Sequence, residues 1–197
     1  MSKQIGNRKY SVFYKTLAQS VPTLEHELSC NVFRCVTLEW VHPDYLISGE
    51  GTRKKGSRWM QANRFRVVHA SSSDSLALSE AKRTVEKYGV PASNSPTWSI
   101  IPIRLHLHRV INIKSLDKQV AIPSVNRLLT NDWRSMKSES QSQAIGRALH
   151  VLGVEGVLVP SAIDPMQENI YWFPDNIQKN SIIEIIDCQN LIRRIRK

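Results

Sequence analysis

The chain has 197 residues, of which 41% are apolar and 22% charged, with a formal net charge of +10. That length and composition fit one globular domain with short extensions and exclude a disordered or fibrous chain. No stretch approaches the roughly 20 apolar residues of a membrane span, and MSKQIGNRKY lacks a signal peptide's apolar run.

The positive charge predicts attraction to polyanions such as nucleic acid, acidic proteins or nucleotides, without choosing among them. Cys30, Cys35 and Cys188 form no CxxC pair and leave one over, which reads as reduced thiols in a cytoplasmic protein.

In chain order, residues 1–29 read as an N-terminal extension, partly helical. Tyr10, Phe13, Tyr14 and Leu17 recur at helical spacing, and Pro22 is expected to end that helix. NVFRCVTLEW (31–40) reads as a strand, with Arg34 on the same face as Val32 and Val36. A guanidinium among apolar neighbours needs a partner. Residues 41–57 read as a loop, and RFRVVHA (64–70) reads as a second strand. SSSD caps a helix over 74–88, closed by Gly89 and Pro91, on which Glu80 borders the apolar stripe.

The clearest strand is 97–113, where Ile101, Ile103, Leu105 and Leu107 alternate with Pro102, Arg104, His106 and His108. Pro102 argues for an edge or early position in it. Helical pieces follow over 123–152, and 154–162, 169–174 and 181–188 read as closing strands. Residues 191–197 are a basic tail.

His106 and His108 share one strand face, but zinc needs at least a third ligand. Nothing in the sequence places one beside them, so no metal site is expected. The basic runs RKKGSR and RRIRK leave a nucleic-acid-binding module as a rival reading. No helix-turn-helix, zinc or RNP-like signature supports direct nucleic-acid recognition.

The order of motifs resembles the RES domain family, toxins of bacterial toxin–antitoxin pairs named for an Arg, a Glu and a Ser. An apolar-Arg strand is matched by VFRCV with Arg34, and a Gly-Gly-Arg-Trp-Asn turn by GSRWM with Arg58. A strand ending in Tyr-x-Ala is matched by VVHA with His69, and the glutamate helix by LALSE with Glu80. VLVPSA supplies Ser161, NIYWFP supplies Asn169, and IEIID closes the pattern. The departures are His69 for the tyrosine, Met60 for the asparagine after Trp59, and Cys35 for an aromatic residue.

The resemblance covers residues 30–190. It implies an α+β domain, ADP-ribosyltransferase-like, with a split mixed or antiparallel sheet around a cleft. It also implies cleavage of NAD as substrate, by hydrolysis or phosphorolysis, with no cofactor. Two further alternatives stay open: a protein ADP-ribosyltransferase, and a degenerate relative that only binds a nucleotide or a partner.

NAD holds nicotinamide by a cationic glycosidic bond, so the base leaves neutral and the site has to stabilise an oxocarbenium-like ribose. Glu80 is the expected stabiliser, with Arg34 and Ser161 as its catalytic companions. Arg58, His69, Trp59, Gly56 and Asn169 are expected to bind substrate. The arginines grip diphosphate through their planar fork, and Gly56 allows close backbone approach. The resemblance further implies an antitoxin with a helix-turn-helix part. A homo-oligomer is left open.

Overall fold

Alternating apolar residues make Trp98–Asn112 the longest strand, and the rest of the sheet is built around it. The computed structural model describes residues 2–87, 89, 96–120 and 122–186. The elements run α1 (Ser2–Leu24), β1 (His26–Thr37), α2 (Pro43–Ser48), α3 (Glu50–Lys55), β2 (Val68–Ser71) and α4 (Asp74–Lys87). There follow β3 (Trp98–Asn112), α5 (Ile113–Gln119), α6 (Val125–Thr130), α7 (Gln141–Val151), β4 (Gly156–Pro160), β5 (Glu168–Trp172) and β6 (Ile182–Ile185).

The mixed sheet has the order β1-β2-β5-β4-β3-β6, and an additional β1–β3 ladder closes it into a small barrel. The expected split sheet is therefore corrected to a closed one. The cause is the length of β3. One of its edges pairs antiparallel with β1 from Trp98 to Val110. The other edge serves β6 over Ile103–His106 and then β4, in parallel, over Val110–Asn112. Pro102 sits where β6 runs out, its carbonyl accepting from Ile186 N, so its missing N–H breaks no ladder.

Two apolar clusters fill the fold. Val32, Val68, Ala70, Ile101, Ile103, Leu105, Leu107, Ile170 and Trp172 form one within the strands. The other joins α1, α5 and α7 to the opposite face of β4 and β5, through residues such as Leu17, Ile145, Leu149, Val157 and Val159.

The helix α1 runs through Pro22 to Leu24, which corrects its expected end. Pro22 lies in the last turn, and Glu25 N still reaches Val21 O at 2.9 Å, so one forfeited hydrogen bond does not stop the helix. Phe13, Leu17 and Val21 lie one turn apart and are all buried. They fasten residues expected to form an extension onto the core.

The strand expected over 64–70 also shrinks, to Val68–Ser71. Its partner β5 reaches only Trp172, opposite Val68. Beyond that point Arg66 turns to Asp175 instead, its Nε donating to the carboxylate at 2.8 Å. Pro91, Cys188 and the basic tail lie outside the described residues.

Candidate active site

Glu80 is placed by α4. Ser73 starts that helix, its hydroxyl accepting from Leu76 N at 3.2 Å and its carbonyl from Ala77 N at 3.0 Å. Leu76 and Ala77 are buried, and Glu80, one turn beyond Leu76, follows them to the inner edge of the helix.

Two buried side chains meet its carboxylate. Ser161 lies just past the end of β4 and donates to Glu80 Oε1 at 2.9 Å, while its own oxygen accepts from Ile163 N at 3.0 Å. Asn169, near the start of β5, donates to the same Oε1 at 2.8 Å. The β2–β5 ladder sets Asn169 opposite Ser71, whose hydroxyl donates to Asn169 Oδ1 at 2.7 Å. That bond fixes which end of the amide faces Glu80. Both donors fall on Oε1, and among the described residues none reaches Oε2. One carboxylate oxygen is locked, and the other is left open by the described residues.

Arg58 lies within electrostatic reach of this carboxylate, and Arg34 meets the neighbouring His69. Arg34 on β1 donates from Nη1 to His69 O at 2.7 Å, and its Nε is buried without a hydrogen bond. Burial pushes the Arg34 guanidinium down to about 10, which still leaves it charged at neutral pH. Arg58 donates from Nη1 to Leu128 O at 3.0 Å, Asn131 O at 3.1 Å and Asn131 Oδ1 at 2.9 Å. Burial lowers the Arg58 pKa, and Glu80 acts against that shift. Each arginine is thus anchored through one nitrogen, which leaves the rest of its fork to a ligand.

The turn carrying Arg58 is held tightly. Gly56 ends α3 with φ 78°, a conformation that suits glycine. Ser57 N then bonds Met60 O at 2.7 Å, and Gln143 Nε2 of α7 donates to Ser57 O at 3.0 Å. Gly146 of α7 lies so close behind the turn that a Cβ there would come 2.0 Å from Trp59 O. Trp59 is buried in the core, its ring 6.0 Å from that of Tyr171, and Met60 is likewise buried.

His69 stands opposite Tyr171 in the β2–β5 ladder, and the two rings stack at 4.8 Å and 22°. Its Nε2 is buried without a hydrogen bond. Burial lowers the His69 pKa; Glu80 works to raise it and Arg34 to lower it. The Tyr171 hydroxyl is pushed up by burial and by the charge of Glu80. Glu80, Arg58, Arg34, His69 and Tyr171 therefore share one electrostatic neighbourhood.

Three contributors escape the sequence reading. Tyr171 lies two residues after Asn169, so the period of two was its signal. Ser71 reads as a capping serine but ends β2 instead. Asn131 gives no signal at all.

A closed mixed barrel bearing the Glu80 carboxylate close to Arg58, with Arg34 beside the neighbouring His69, defines the class: a small α/β protein with a carboxylate–guanidinium centre. The chain belongs to the RES domain family, whose model matches residues 31–189. It is 29% identical over 136 residues to the NAD(+) phosphorylase MbcT of Mycobacterium tuberculosis and of Mycobacterium bovis, covering 64% of this chain and 70% of theirs. The fold is also similar to a chain in the crystal structure of the M. tuberculosis MbcT–MbcA toxin–antitoxin complex. The TM-score is 0.67 at 20% identity, over 87% of this chain and 89% of that one.

Proposed function

We propose that this protein is an NAD-consuming toxin that breaks the nicotinamide–ribose bond and passes the ribosyl carbon to phosphate or water. The observation that carries this reading is the Glu80 carboxylate, held at Oε1 by Ser161 and Asn169, with Oε2 left open by the described residues.

The chemistry follows from that geometry. Nicotinamide leaves as a neutral base, taking the electron pair of the glycosidic bond and leaving positive charge on the ribose. A fixed anion beside that carbon stabilises the charge as it forms, at no cost of reorganisation. Locking one oxygen turns the other toward the sugar. Arg34 and Arg58 hold the diphosphate through the donors that their anchoring bonds leave over, and this sets the ribose against Glu80. Attack by phosphate gives ADP-ribose 1″-phosphate and nicotinamide. Attack by water gives ADP-ribose, nicotinamide and a proton.

The barrel is read as a variant of the ADP-ribosyltransferase fold, and NAD is the substrate with no separate cofactor. No helix among the described residues is long and apolar enough to cross a membrane; the reading assigns the protein to the cytoplasm because its substrate NAD is abundant there. Its partner is an antitoxin with a helix-turn-helix part, which neutralises it by covering the site.

The experiment is incubation of the purified protein with NAD, with and without inorganic phosphate, followed by identification of products by mass. Release of nicotinamide, abolished in Glu80→Gln, is the expected result. NAD bound but intact in both proteins would instead make this a binding-only relative.

A further inference from the structure

His106 and His108 lie on the face of β3 turned away from Leu105 and Leu107, and neither serves the site around Glu80. The sequence leaves them without a third ligand. The β1–β3 ladder supplies one. A register shift between His26 and Leu28 sets Glu27 beside them, and one ligand atom from each of Glu27, His106 and His108 lies within 4.8 Å of the others. His108 Nδ1 is 3.2 Å from Glu27 Oε1, and the two imidazole centroids are 4.8 Å apart, edge to face.

The geometry points to a divalent-cation site of the zinc class formed by Glu27, His106 and His108, with an open position for water. Zinc–nitrogen and zinc–oxygen bonds of about 2.0–2.2 Å put tetrahedral ligands roughly 3.3–3.5 Å apart. The His108–Glu27 pair already stands at that spacing, and side-chain rotation has little further to bring the set together. All three ligands sit on paired strands, which hold a first shell more firmly than loops do.

The surroundings suit a cation in spite of the +10 chain. Glu25 and Glu184 on the same wall are matched by Arg109 and Arg104, at 2.8 Å each. Glu155 is not so matched. It is fully buried and accepts from His108 N at 2.7 Å, Arg109 N at 2.9 Å, Gln178 N at 2.9 Å and the Ser181 hydroxyl. It both fixes the backbone of His108 and adds negative potential behind the ring. His108 Nε2 is shielded from solvent and makes no hydrogen bond, so Nδ1 is the ligating atom.

This wall is far from Arg34. Glu27 lies seven residues from Arg34 along β1, about 23 Å at strand rise, and on the other face. The cation would clamp the start of β1 to β3 and take no part in NAD cleavage.

The test is calorimetric titration of the full chain with Zn2+, repeated for Glu27→Gln, His106→Asn and His108→Ala, with circular dichroism to confirm folding. One equivalent should bind, and Tm should rise by a few degrees as metal is added. Each variant should weaken binding at least tenfold, and the double variant His106→Asn/His108→Ala should abolish it. Co2+ guards against capture by the cysteines, since the proposed site gives visible d–d bands without thiolate charge transfer. No binding at micromolar Zn2+, unchanged affinity in the folded variants, or a thiolate band would each overturn the proposal. Glu27–His108 would then be an ordinary surface ion pair.

Discussion

Gly146→Ala tests whether the Arg58 turn is positioned by the helix behind it. A Cβ on Gly146 would lie 2.0 Å from Trp59 O, 2.9 Å from Trp59 C and 3.1 Å from Trp59 Cβ. Real contacts of this kind do not fall below 3.0 Å, so turn and helix have to part by about 1 Å. The atoms met are mainly backbone, and the Trp59 indole behind them is fully packed, so no flexible side chain can give way. Overpacking of this sort costs about 1–3 kcal/mol, and at this chain length each kcal/mol lowers Tm by about 2–4 °C. The functional effect is separate. Arg58 is the residue before Trp59, and a misplacement of about 1 Å in a positioning group can cost around 10²-fold in rate. Thermal unfolding followed by circular dichroism reads the first effect, and nicotinamide release below the lowered Tm reads the second. A variant that keeps both the wild-type Tm and the wild-type rate would refute the claim that this contact sets the site.

Glu80→Gln should lower nicotinamide release by about 10²–10³-fold with the fold intact, since it removes a preorganised charge and keeps the shape; rates and Tm measured together check this. Asn169→Ala leaves the buried Ser71 hydroxyl without its acceptor and should destabilise by about 1–3 kcal/mol in denaturant titration, with a rate loss because Glu80 keeps only Ser161. Arg58→Lys removes both the Nη1 that meets three protein acceptors and the remaining N–H groups of the planar fork left for the diphosphate, so KM for NAD should rise at least tenfold, read by steady-state kinetics. His69 gives a pH effect. Burial holds its folded pKa below the ordinary 6.5, so the unfolded chain binds the extra proton first as pH falls. The stability it contributes is complete above pH 6.5 and is lost on acidification toward the folded value, at up to about 1.4 kcal/mol per pH unit. His69→Gln should flatten that slope in urea titrations between pH 5 and pH 7, while the similarly lowered His150 remains in both proteins.

Local pattern carried most of the elements. β3 was legible because Ile101, Ile103, Leu105 and Leu107 alternate without interruption, and α7 fell within the helical pieces read over 123–152, its start fixed by a Ser140–Gln143 capping box that the reading did not use. What pattern could not carry was pairing. RFRVVHA alternates well enough for a strand along its whole length, but only its end finds a partner. The closure of the barrel depends on β3 offering both edges, which no single segment states. At the site, Arg34, Arg58, Glu80, Ser161 and Asn169 were singled out as separate motifs, and the fold brings them together. Tyr171 was passed over because NIYWFP was read for its asparagine alone. Glu27 was invisible as a partner of His106 and His108 because nearly 80 residues separate them and only the β1–β3 register, with its bulge, sets them side by side.

The locking of Glu80 has a consequence for synthesis. The glutamate lies in the first half of the chain, whereas Ser161 and Asn169 come from its last quarter. A ribosome therefore exposes this carboxylate long before it releases the two groups that hydrogen-bond it. A chain interrupted before residue 161 carries Arg34, Arg58 and Glu80 but neither of the two donors to Oε1, so on the proposed mechanism a premature stop leaves the anion without its aim.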